Sequence, residues 1–267
     1  MIEIKPYDEI VQVRMSREFN GKPVFWVAAY LVDGLLIDTG CSYTVEELMS
    51  YLEKNPPRLA VNTHFHEDHI GANRLIQERL GISIYAHPDS QVLISRQAVL
   101  FPYQEIAWGY PQPSEVLPIP KVVRTKRFTF DVLETPGHSA GHVVLVERSY
   151  GWCFCGDIFA SEKVKTIRPE EDMPLTILSL KKLINLEMDR FVLFASAGSV
   201  IENGREALQN YISYLEGLSR RAKELQSRGQ TVADIVISIF GGEHVRAALT
   251  SGQYTTANLI RSVLKME

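Results

Sequence analysis

The stretch that decides the fold is His64-Phe65-His66-Glu67-Asp68-His69, which holds three of the seven histidines of the chain. Imidazole nitrogens and carboxylate oxygens are the usual protein ligands of zinc and similar divalent ions. His64 and His66 are two residues apart, so they share one side of an extended segment. Asp68 and His69 follow where the chain would turn into a helix. The spacing therefore predicts two ligand pairs that face two neighbouring points in space.

The residues on both sides of this motif predict a strand-to-helix loop. Residues 58–62 are a short apolar run that begins after two prolines, which is typical of a buried strand. Residues 70–80 carry apolar side chains at helical spacing, and Gly81 ends the predicted helix. In open α/β sheets, binding sites form beyond the carboxyl ends of strands. A solvated, histidine-rich loop is the alternative, but this context favours a metal site.

Three further segments complete a pattern in chain order. Residues 36–40 read Leu-Ile-Asp-Thr-Gly, residues 135–142 read Thr-Pro-Gly-His-Ser-Ala-Gly-His, and residues 154–159 read Phe-Cys-Gly-Asp-Ile-Phe. Together with the histidine motif they resemble the metallo-β-lactamase fold superfamily, whose signature is His-x-His-x-Asp-His. The resemblance covers about residues 20–200. It implies an α/β (α+β) fold, a four-layer αββα sandwich with metals at one edge of the two sheets.

The resemblance also implies two adjacent metal sites with a nucleophilic hydroxide between them. Zinc is the expected ion, with iron or manganese as alternatives, and such an ion lowers the pKa of bound water from ~15.7 to about 7. Asp68 is expected to accept a proton during turnover as well, which makes it the candidate catalytic residue. The implied ligands are His64, His66 and His138 for site one, Asp68 and His69 for site two, and Asp157 for both.

The sequence departs from the family pattern at the last ligand. Members with two metals usually have a final histidine in a Gly-His-Gly-like segment after a late strand. Here the late strand at residues 191–194 is followed by Ala-Ser-Ala-Gly-Ser, so Ala197 stands in the position of that histidine. A methyl group cannot bind a metal. We therefore expect one tight site and a second that is weak, completed by extra waters or empty, unless His244 returns from the tail as the missing ligand.

Three other residues are expected to support the site or the fold without binding a metal. Asp38 is a candidate hydrogen-bond partner of a ligand, since ligating histidines usually donate their second N–H to a carboxylate or carbonyl. His142 corresponds to a family position that supports the fold. His87 ends a predicted strand and is expected to be structural or to line the pocket.

Residues 101–120 contain five prolines, which predict an irregular loop. Aromatic side chains are interleaved with these prolines. A long aromatic loop between ligand-bearing segments is typical of a lid or pocket wall. The alternative is a loop that its own aromatic side chains pack onto the body of the protein, and the sequence leaves both interpretations open.

The chain is predicted to comprise a metallo-β-lactamase-like αββα domain at residues 1–200 and a C-terminal helical extension at residues 201–267. A single apolar stripe from Leu208 to Leu225 predicts a helix that packs on the core. A homodimer seam is the alternative. Residues 231–267 carry three acids and three bases, and this balance argues against a nucleic-acid partner.

Composition restricts the setting in which the protein is expected to work. The formal net charge is −4, and no apolar run approaches the ~18 residues of a membrane helix. The N-terminus lacks the basic and apolar regions of a secretory signal. The three cysteines are an odd number, which argues against a disulfide framework. We therefore expect a cytoplasmic protein with a small-molecule substrate and no membrane partner.

Three functional hypotheses follow. The leading one is a metal-dependent hydrolase that uses a metal-bound hydroxide on a small ester-like substrate, a thioester or lactone, in the manner of glyoxalase II. The second is a mononuclear iron oxidoreductase that acts on a thiol-derived substrate, with a two-histidine, one-carboxylate set drawn from His64, His138 and Asp157. The third is a non-catalytic scaffold that binds a metal or ligand.

Overall fold

The structure is a computed structural model that describes residues 1–266. In this part of the chain there are fifteen strands and nine α-helices. The strands are β1 (Ile2–Tyr7), β2 (Ile10–Met15), β3 (Glu18–Phe19), β4 (Lys22–Pro23), β5 (Val27–Val32), β6 (Leu35–Ile37), β7 (Leu59–Val61), β8 (Ser83–Ala86), β9 (Leu117–Pro118), β10 (Val122–Arg124), β11 (Thr129–Glu134), β12 (Val143–Glu147), β13 (Trp152–Gly156), β14 (Val192–Ala195) and β15 (Val200–Ile201). The helices are α1 (Val45–Leu52), α2 (Asn73–Leu80), α3 (Pro88–Ile94), α4 (Pro102–Ala107), α5 (Met173–Ile184), α6 (Gly204–Ser227), α7 (Val232–Phe240), α8 (Arg246–Leu249) and α9 (Thr256–Val263).

Two large sheets form the centre of the molecule. One sheet has seven strands in the order β1-β2-β5-β6-β7-β8-β9, and β6 to β9 run parallel. The other has six strands, β10 to β15 in chain order, of which β13 and β14 are parallel. Helices lie in the crossovers between parallel strands, as such connections require. The segments that follow the parallel strands therefore leave the sheets at the carboxyl ends of those strands, which is where the histidine motif is predicted to lie.

Alternation of side chains along the strands separates an inner core from two outer ones. In β13, Trp152 and Phe154 face the space between the sheets, while Cys153 and Cys155 face the helices. On the inner face of this sheet, the rings of Phe154 and Phe194 from the neighbouring strands β13 and β14 stack with centroids 4.9 Å apart. Helices α1 and α2 cover the outer face of the seven-stranded sheet, and α5, α6 and α9 cover that of the six-stranded sheet. The predicted four-layer αββα sandwich is confirmed.

The apolar stripe of the C-terminal extension lies against the core. Leu208, Ile212 and Leu215 of α6 are buried in the same cluster as residues of α5 and β14. The stripe thus covers the six-stranded sheet, as expected for a docking face. The domain boundary at residue 200 stays a prediction. No helix among residues 1–266 combines the length and apolar character needed to cross a membrane.

Residues 101–120 differ from the sequence prediction, because part of this segment is regular. Pro102 begins α4 instead of preventing a helix, since the first helical turn needs no N–H from proline and favours its fixed φ. Leu117–Pro118 forms the short edge strand β9, where a missing backbone donor is tolerated. The remaining prolines lie in irregular backbone.

Candidate metal centre

The predicted ligands emerge from one edge of the sandwich. His64 follows β7, Asp157 follows β13, and His138 lies in the loop between β11 and β12. The backbone just after the motif packs against the loop that follows β6, where the amide of Gly71 donates to the carbonyl of Gly40 over 2.7 Å. A Cβ at Gly71 would lie 2.5 Å from the backbone of Cys41. Glycine is therefore required for the close approach that aligns the motif with the strand ends.

Three buried histidines form one group of converging nitrogens. His64 Nε2 is 2.9 Å from His66 Nδ1, and His138 Nε2 is 3.0 Å from the same atom. These nitrogens belong to residues separated by up to 74 positions in sequence. They lie close enough together for one small cation to contact all three. The structure thus brings together the three histidines predicted for site one, while metal binding itself stays a prediction.

A second group adjoins the first and shares Asp157 with it. His69 Nε2 lies 3.6 Å from Asp157 Oδ1 and 3.6 Å from Asp68 Oδ2. The other oxygen of Asp157 lies 3.6 Å from His138 Nε2. This carboxylate therefore faces both groups, as a bridging ligand would.

Two buried polar atoms of the second group support a cation there. Among residues 1–266, neither His69 Nε2 nor Asp68 Oδ1 has a hydrogen-bond partner. Leaving such atoms unpaired in a protein interior is unfavourable. A divalent cation would satisfy both atoms, so the residues present fit the metal that the family resemblance implies.

Hydrogen bonds on the outer side of the histidines select which nitrogen is free. Thr63 Oγ1 donates to Asp38 Oδ2 over 2.9 Å and lies 3.0 Å from His64 Nδ1, from which it accepts. Asp38 also accepts from His69 Nδ1 over 2.8 Å. With Nδ1 engaged on the outer side in both rings, Nε2 is the nitrogen that faces the centre and would serve as the ligand atom. The contact agrees with the expectation that Asp38 is a hydrogen-bond partner of a predicted ligand, whereas metal binding by His69 stays a prediction.

Glu171 plays the same part for His138, and the sequence interpretation missed it. Its Oε2 accepts from His138 Nδ1 over 3.1 Å, while its Oε1 accepts from the backbone N–H of Arg168 over 2.8 Å. Glu171 lies in the segment between β13 and α5, which carries no recognisable motif. The general rule that a ligating histidine has a carboxylate partner predicts such a residue, but the sequence does not say which one.

His142 fixes the backbone position of Asp157. Its Nδ1 donates to Thr135 Oγ1 over 2.8 Å, and its Nε2 accepts from the backbone N–H of Asp157 over 3.1 Å. The ring packs against Gly156, where a Cβ would lie 2.5 Å from Nε2. The supporting role expected for His142 agrees with these contacts, and neither ring nitrogen is left for a metal.

Burial and neighbouring charges shift the pKa values of the site residues in different directions. Burial, together with adjacent imidazoles, holds the pKa of His64 well below its usual range. For His69, burial acts downwards, but Asp68, Asp38 and Asp157 outweigh it and raise the pKa well above the usual value. Burial also raises the pKa of Asp68 to about 7, although His69 opposes it. The metal-free site therefore keeps a neutral histidine next to a strongly basic one.

The remaining candidates lie outside the two groups. Ala197 is exposed in the turn after β14, next to Ser196, whose amide donates to the carbonyl of Gly156 over 3.4 Å. This turn therefore adjoins the segment that carries Asp157, as expected for the position of a missing ligand. His244 belongs to neither ligand group, and its Nδ1 accepts from the backbone of Arg246. His87 caps α3 by accepting from the amide of Asp89.

Part of the 101–120 segment borders the centre. Gln104 is buried on α4 and donates to Glu67 Oε1 over 2.8 Å, so it contacts the histidine motif directly. Glu67 in turn lies 3.9 Å from Arg168. The prediction that this segment forms a wall of the site is consistent with the contact, whereas movement as a lid stays a prediction.

Comparisons with known proteins agree with this architecture. The sequence model of the metallo-beta-lactamase superfamily matches residues 26–195. Hydroxyacylglutathione hydrolase GloC of Haemophilus influenzae is 27% identical over 185 residues, which cover 66% of this chain and 84% of that protein. Hydroxyacylglutathione hydrolase of a Chelativorans species is 29% identical over 174 residues, which cover 64% of this chain and 60% of that protein.

The resemblance to solved structures includes one that extends over almost the whole chain. A beta-lactamase domain protein from Burkholderia ambifaria has a TM-score of 0.67 at 17% identity, with 99% of this chain and 85% of that chain covered. At this level of identity the likeness concerns the fold. It extends through the C-terminal helices as well as the sandwich.

Proposed function

The chain belongs to the metallo-β-lactamase superfamily, and from this premise we propose that it is a metal-dependent hydrolase of a small thioester or lactone. The observation that carries the proposal is the convergence of His64, His66 and His138, whose facing nitrogens are 2.9 and 3.0 Å apart. Asp157 faces this group and the neighbouring one. Several imidazoles together with one carboxylate are a ligand set found in zinc enzymes that hydrolyse acyl compounds.

Zinc is proposed as the ion, held tightly by the three histidines and Asp157. When bound, a divalent metal supplies a water of lowered pKa, from ~15.7 to about 7, and polarises the carbonyl under attack. The chain's own residues orient these ligands through Asp38 and Glu171. The second group, Asp68 and His69, adjoins these ligands at Asp157.

Asp68 is proposed as the residue that moves a proton. Burial raises the pKa of its carboxyl to about 7 in the metal-free protein, so it exchanges protons near neutral pH. Its Oδ1 is free of hydrogen bonds among residues 1–266. With the second group empty of metal, this atom would be available to accept the proton released when water attacks, and to return it to the leaving group.

The substrate class follows from charge and from the relatives. A net charge of −4 offers no strongly basic surface for a nucleic-acid backbone. Two relatives are named as hydroxyacylglutathione hydrolases, which act on a thioester. We therefore propose a thioester in preference to a phosphodiester, with lactones as the second substrate class.

The test combines metal analysis with a substrate panel. Protein purified without added metal is analysed for its metal content, reloaded with zinc, and assayed on aryl thioesters and lactones. His66→Ala should lower turnover at least ~100-fold while cooperative unfolding persists, since the core is large and the site is built on loops. His244→Ala, outside both ligand groups, serves as the matched control and should retain activity. Equal activity of the two variants would contradict the proposal.

A second function has one observation in its favour. Ala197 places a methyl group where two-metal members of the family have a histidine, so a single-metal enzyme is chemically reasonable. We propose a mononuclear iron oxidoreductase as the alternative, with His64, His138 and Asp157 as the ligands. About one iron per chain, with thiol-dependent oxygen uptake and no thioester hydrolysis, would support it. A metal-loaded protein with neither activity would favour a non-catalytic scaffold.

A further inference from the structure

A buried arginine lies next to the metal centre. Arg168 belongs to the segment between β13 and α5 and is only 5% exposed. Its Nη2 lies 3.9 Å from Oε1 of Glu67, a residue of the histidine motif. A guanidinium is expensive to bury and is rarely found inside a protein without a partner for its charge.

The position of Arg168 is fixed relative to a predicted metal ligand. Its backbone N–H donates to Oε1 of Glu171, and the other oxygen of that carboxylate accepts from His138. Ile167, immediately before it, forms a two-way backbone bridge with Thr255, with N···O distances of 3.3 and 3.2 Å. The arginine is therefore held between the metal centre and the C-terminal extension.

Two tyrosines complete this part of the wall. Arg168 Nε donates to the hydroxyl of Tyr254 over 2.9 Å, and its guanidinium carbon lies 5.2 Å from the centre of that ring. Tyr103 of α4 packs edge-on against Tyr254 with centroids 6.1 Å apart. Burial raises the pKa of Tyr103 to about 12, so its hydroxyl stays protonated as a donor.

The donors of this cluster are mostly unused. Among residues 1–266, neither terminal nitrogen of Arg168 makes a hydrogen bond, and neither is fully enclosed. Glu67 approaches one of them only to 3.9 Å and already accepts from Gln104. The Tyr103 hydroxyl likewise has no hydrogen-bond partner within the described chain and is not fully enclosed. An arginine whose forked end is free and rigidly placed is suited to bind a planar anion.

We propose that Arg168, with the hydroxyls of Tyr103 and Tyr254, binds a carboxylate of the substrate next to the scissile bond. This inference rests on the proposed function and narrows its substrate class to acyl compounds that carry a carboxylate. One guanidinium, which already faces Glu67 at 3.9 Å, and two neutral hydroxyls offer at most one positive charge to a ligand. A phosphate, which carries about −1.5 to −2 near pH 7, would call for more positive charge than this cluster offers.

The kinetic test uses substrates that differ only in one group. S-phenyl thiobutyrate is neutral, and the mono-S-phenyl thioester of succinic acid carries a carboxylate in place of the terminal methyl group. Zinc-loaded native protein should have a higher kcat/KM for the carboxylate substrate. Arg168→Gln should reduce that value about 10- to 100-fold, as expected for a lost charge-assisted pair. It should change hydrolysis of the neutral substrate less than ~3-fold.

Further variants separate recognition from structural support. Arg168→Lys keeps the charge but loses the fork, so it should recover part of the loss. Tyr103→Phe removes only a hydroxyl and leaves Glu67 its partners, so it remains informative if Arg168→Gln fails to fold. It should raise KM for the carboxylate substrate alone. Arg148→Gln is the matched control, since Arg148 lies after β12 and pairs with Asp131.

A binding measurement makes the inference independent of catalysis. Monomethyl succinate and dimethyl succinate are compared by saturation-transfer NMR on the metal-free protein. Native protein should bind the monoester with its free carboxylate, and Arg168→Gln should not. Selective binding without hydrolysis would support the carboxylate subsite while the proposed function fails.

Other outcomes would overturn the inference. Equal binding of both esters and equal hydrolysis of both thioesters would show that Arg168 only balances the charge of Glu67, while the hydrolase proposal stands. Preference for a phosphonate of the same length over the carboxylate would also overturn it. A uniform loss on both thioesters in Arg168→Gln, without any change of selectivity in Tyr103→Phe, would indicate structural support instead of recognition.

Discussion

Asp38 accepts a hydrogen bond from Nδ1 of His69 over 2.8 Å while its own backbone has a φ of +59°. A positive φ is uncommon for a residue with a side chain, although aspartate and asparagine tolerate it better than most. The same carboxylate accepts from the amide of Thr63 over 2.7 Å. One strained residue thus connects the end of β6 to both halves of the histidine motif, as is frequent at functional sites.

The first prediction concerns this carboxylate. Asp38→Asn preserves the shape and the tolerance of positive φ, but its amide group presents a donor where His69 needs an acceptor. The ring of His69 should then favour the wrong tautomer, and zinc affinity should fall ~10- to 100-fold. Competition with a chromophoric chelator measures this change.

Asp33→Asn is the matched control for this variant. Asp33 also has a positive φ, of 46°, but lies in the turn between β5 and β6 and accepts from the backbone of Arg127. Its replacement should leave zinc affinity unchanged. Unaltered affinity in Asp38→Asn would mean that the hydrogen bond does not orient a ligand.

The second prediction concerns Glu171, which holds His138. Glu171→Gln should weaken zinc binding ~10- to 100-fold, because a neutral amide orients the imidazole less strongly and stabilises its charge less. Glu170→Gln changes the exposed neighbouring residue and should have little effect. If both variants bind zinc as the native protein does, His138 is not held through Glu171.

The difference between these two supports shows what the sequence could predict. Asp38 lies in a motif, directly after a strand, and its role follows from local order along the chain. Glu171 and Arg168 reach the site through the loop before α5, and Tyr254 reaches it from the segment just before the C-terminal helix α9. The position of these residues at the site depends on tertiary packing, such as the bridge between Ile167 and Thr255. No periodicity or spacing in the sequence predicts that position.

More of the fold than of the site could be predicted, because the fold depends more on patterns that are local in sequence. Alternation in strands such as β13 and the helical spacing in α2 and α6 are local patterns that specify which face is buried. The proline-rich composition predicts irregular backbone throughout residues 101–120, and this prediction is wrong at Pro102. Its position at the start of α4 depends on Gln104, which caps the helix by accepting from the amide of Phe101 over 2.8 Å.

The third prediction is a pH dependence of stability. Burial lowers the pKa of His142 to about 3, below the value of ~6.5 for an unfolded chain. The folded state thus keeps the ring neutral, while the unfolded state gains a proton as the pH falls below ~6.5. His142 should therefore destabilise the fold progressively down to about pH 3, by roughly 1.4 kcal/mol per pH unit.

His142→Gln tests this dependence in the metal-free protein. The free energy of unfolding by urea is measured from pH 4 to pH 8 for both proteins. The variant should be less stable near pH 7, because it packs less well against Gly156, but its stability should fall less steeply with decreasing pH. Comparing the two slopes cancels the groups that titrate in both. Parallel curves would show that His142 is not held neutral by the fold.

The last prediction concerns Ala197, in the turn after β14. If this position has lost a ligand, Ala197→His should create a second tight metal site. The turn is anchored next to Asp157, since the amide of Ser196 donates to Gly156 over 3.4 Å and its carbonyl accepts from Ala28 over 2.7 Å. An imidazole placed there would join His69 and Asp68, which alone give the second site too few good ligands. Calorimetric zinc titration should show one tight site in the native protein and two in the variant, with the second affinity raised at least ~10-fold. Ser199→His puts the same side chain on the same exposed turn, two residues further on, and should leave the second site weak. Two equally tight sites in the native chain would mean that another group already completes the site, and a second site gained equally by both variants would mean that residue 197 has no special position.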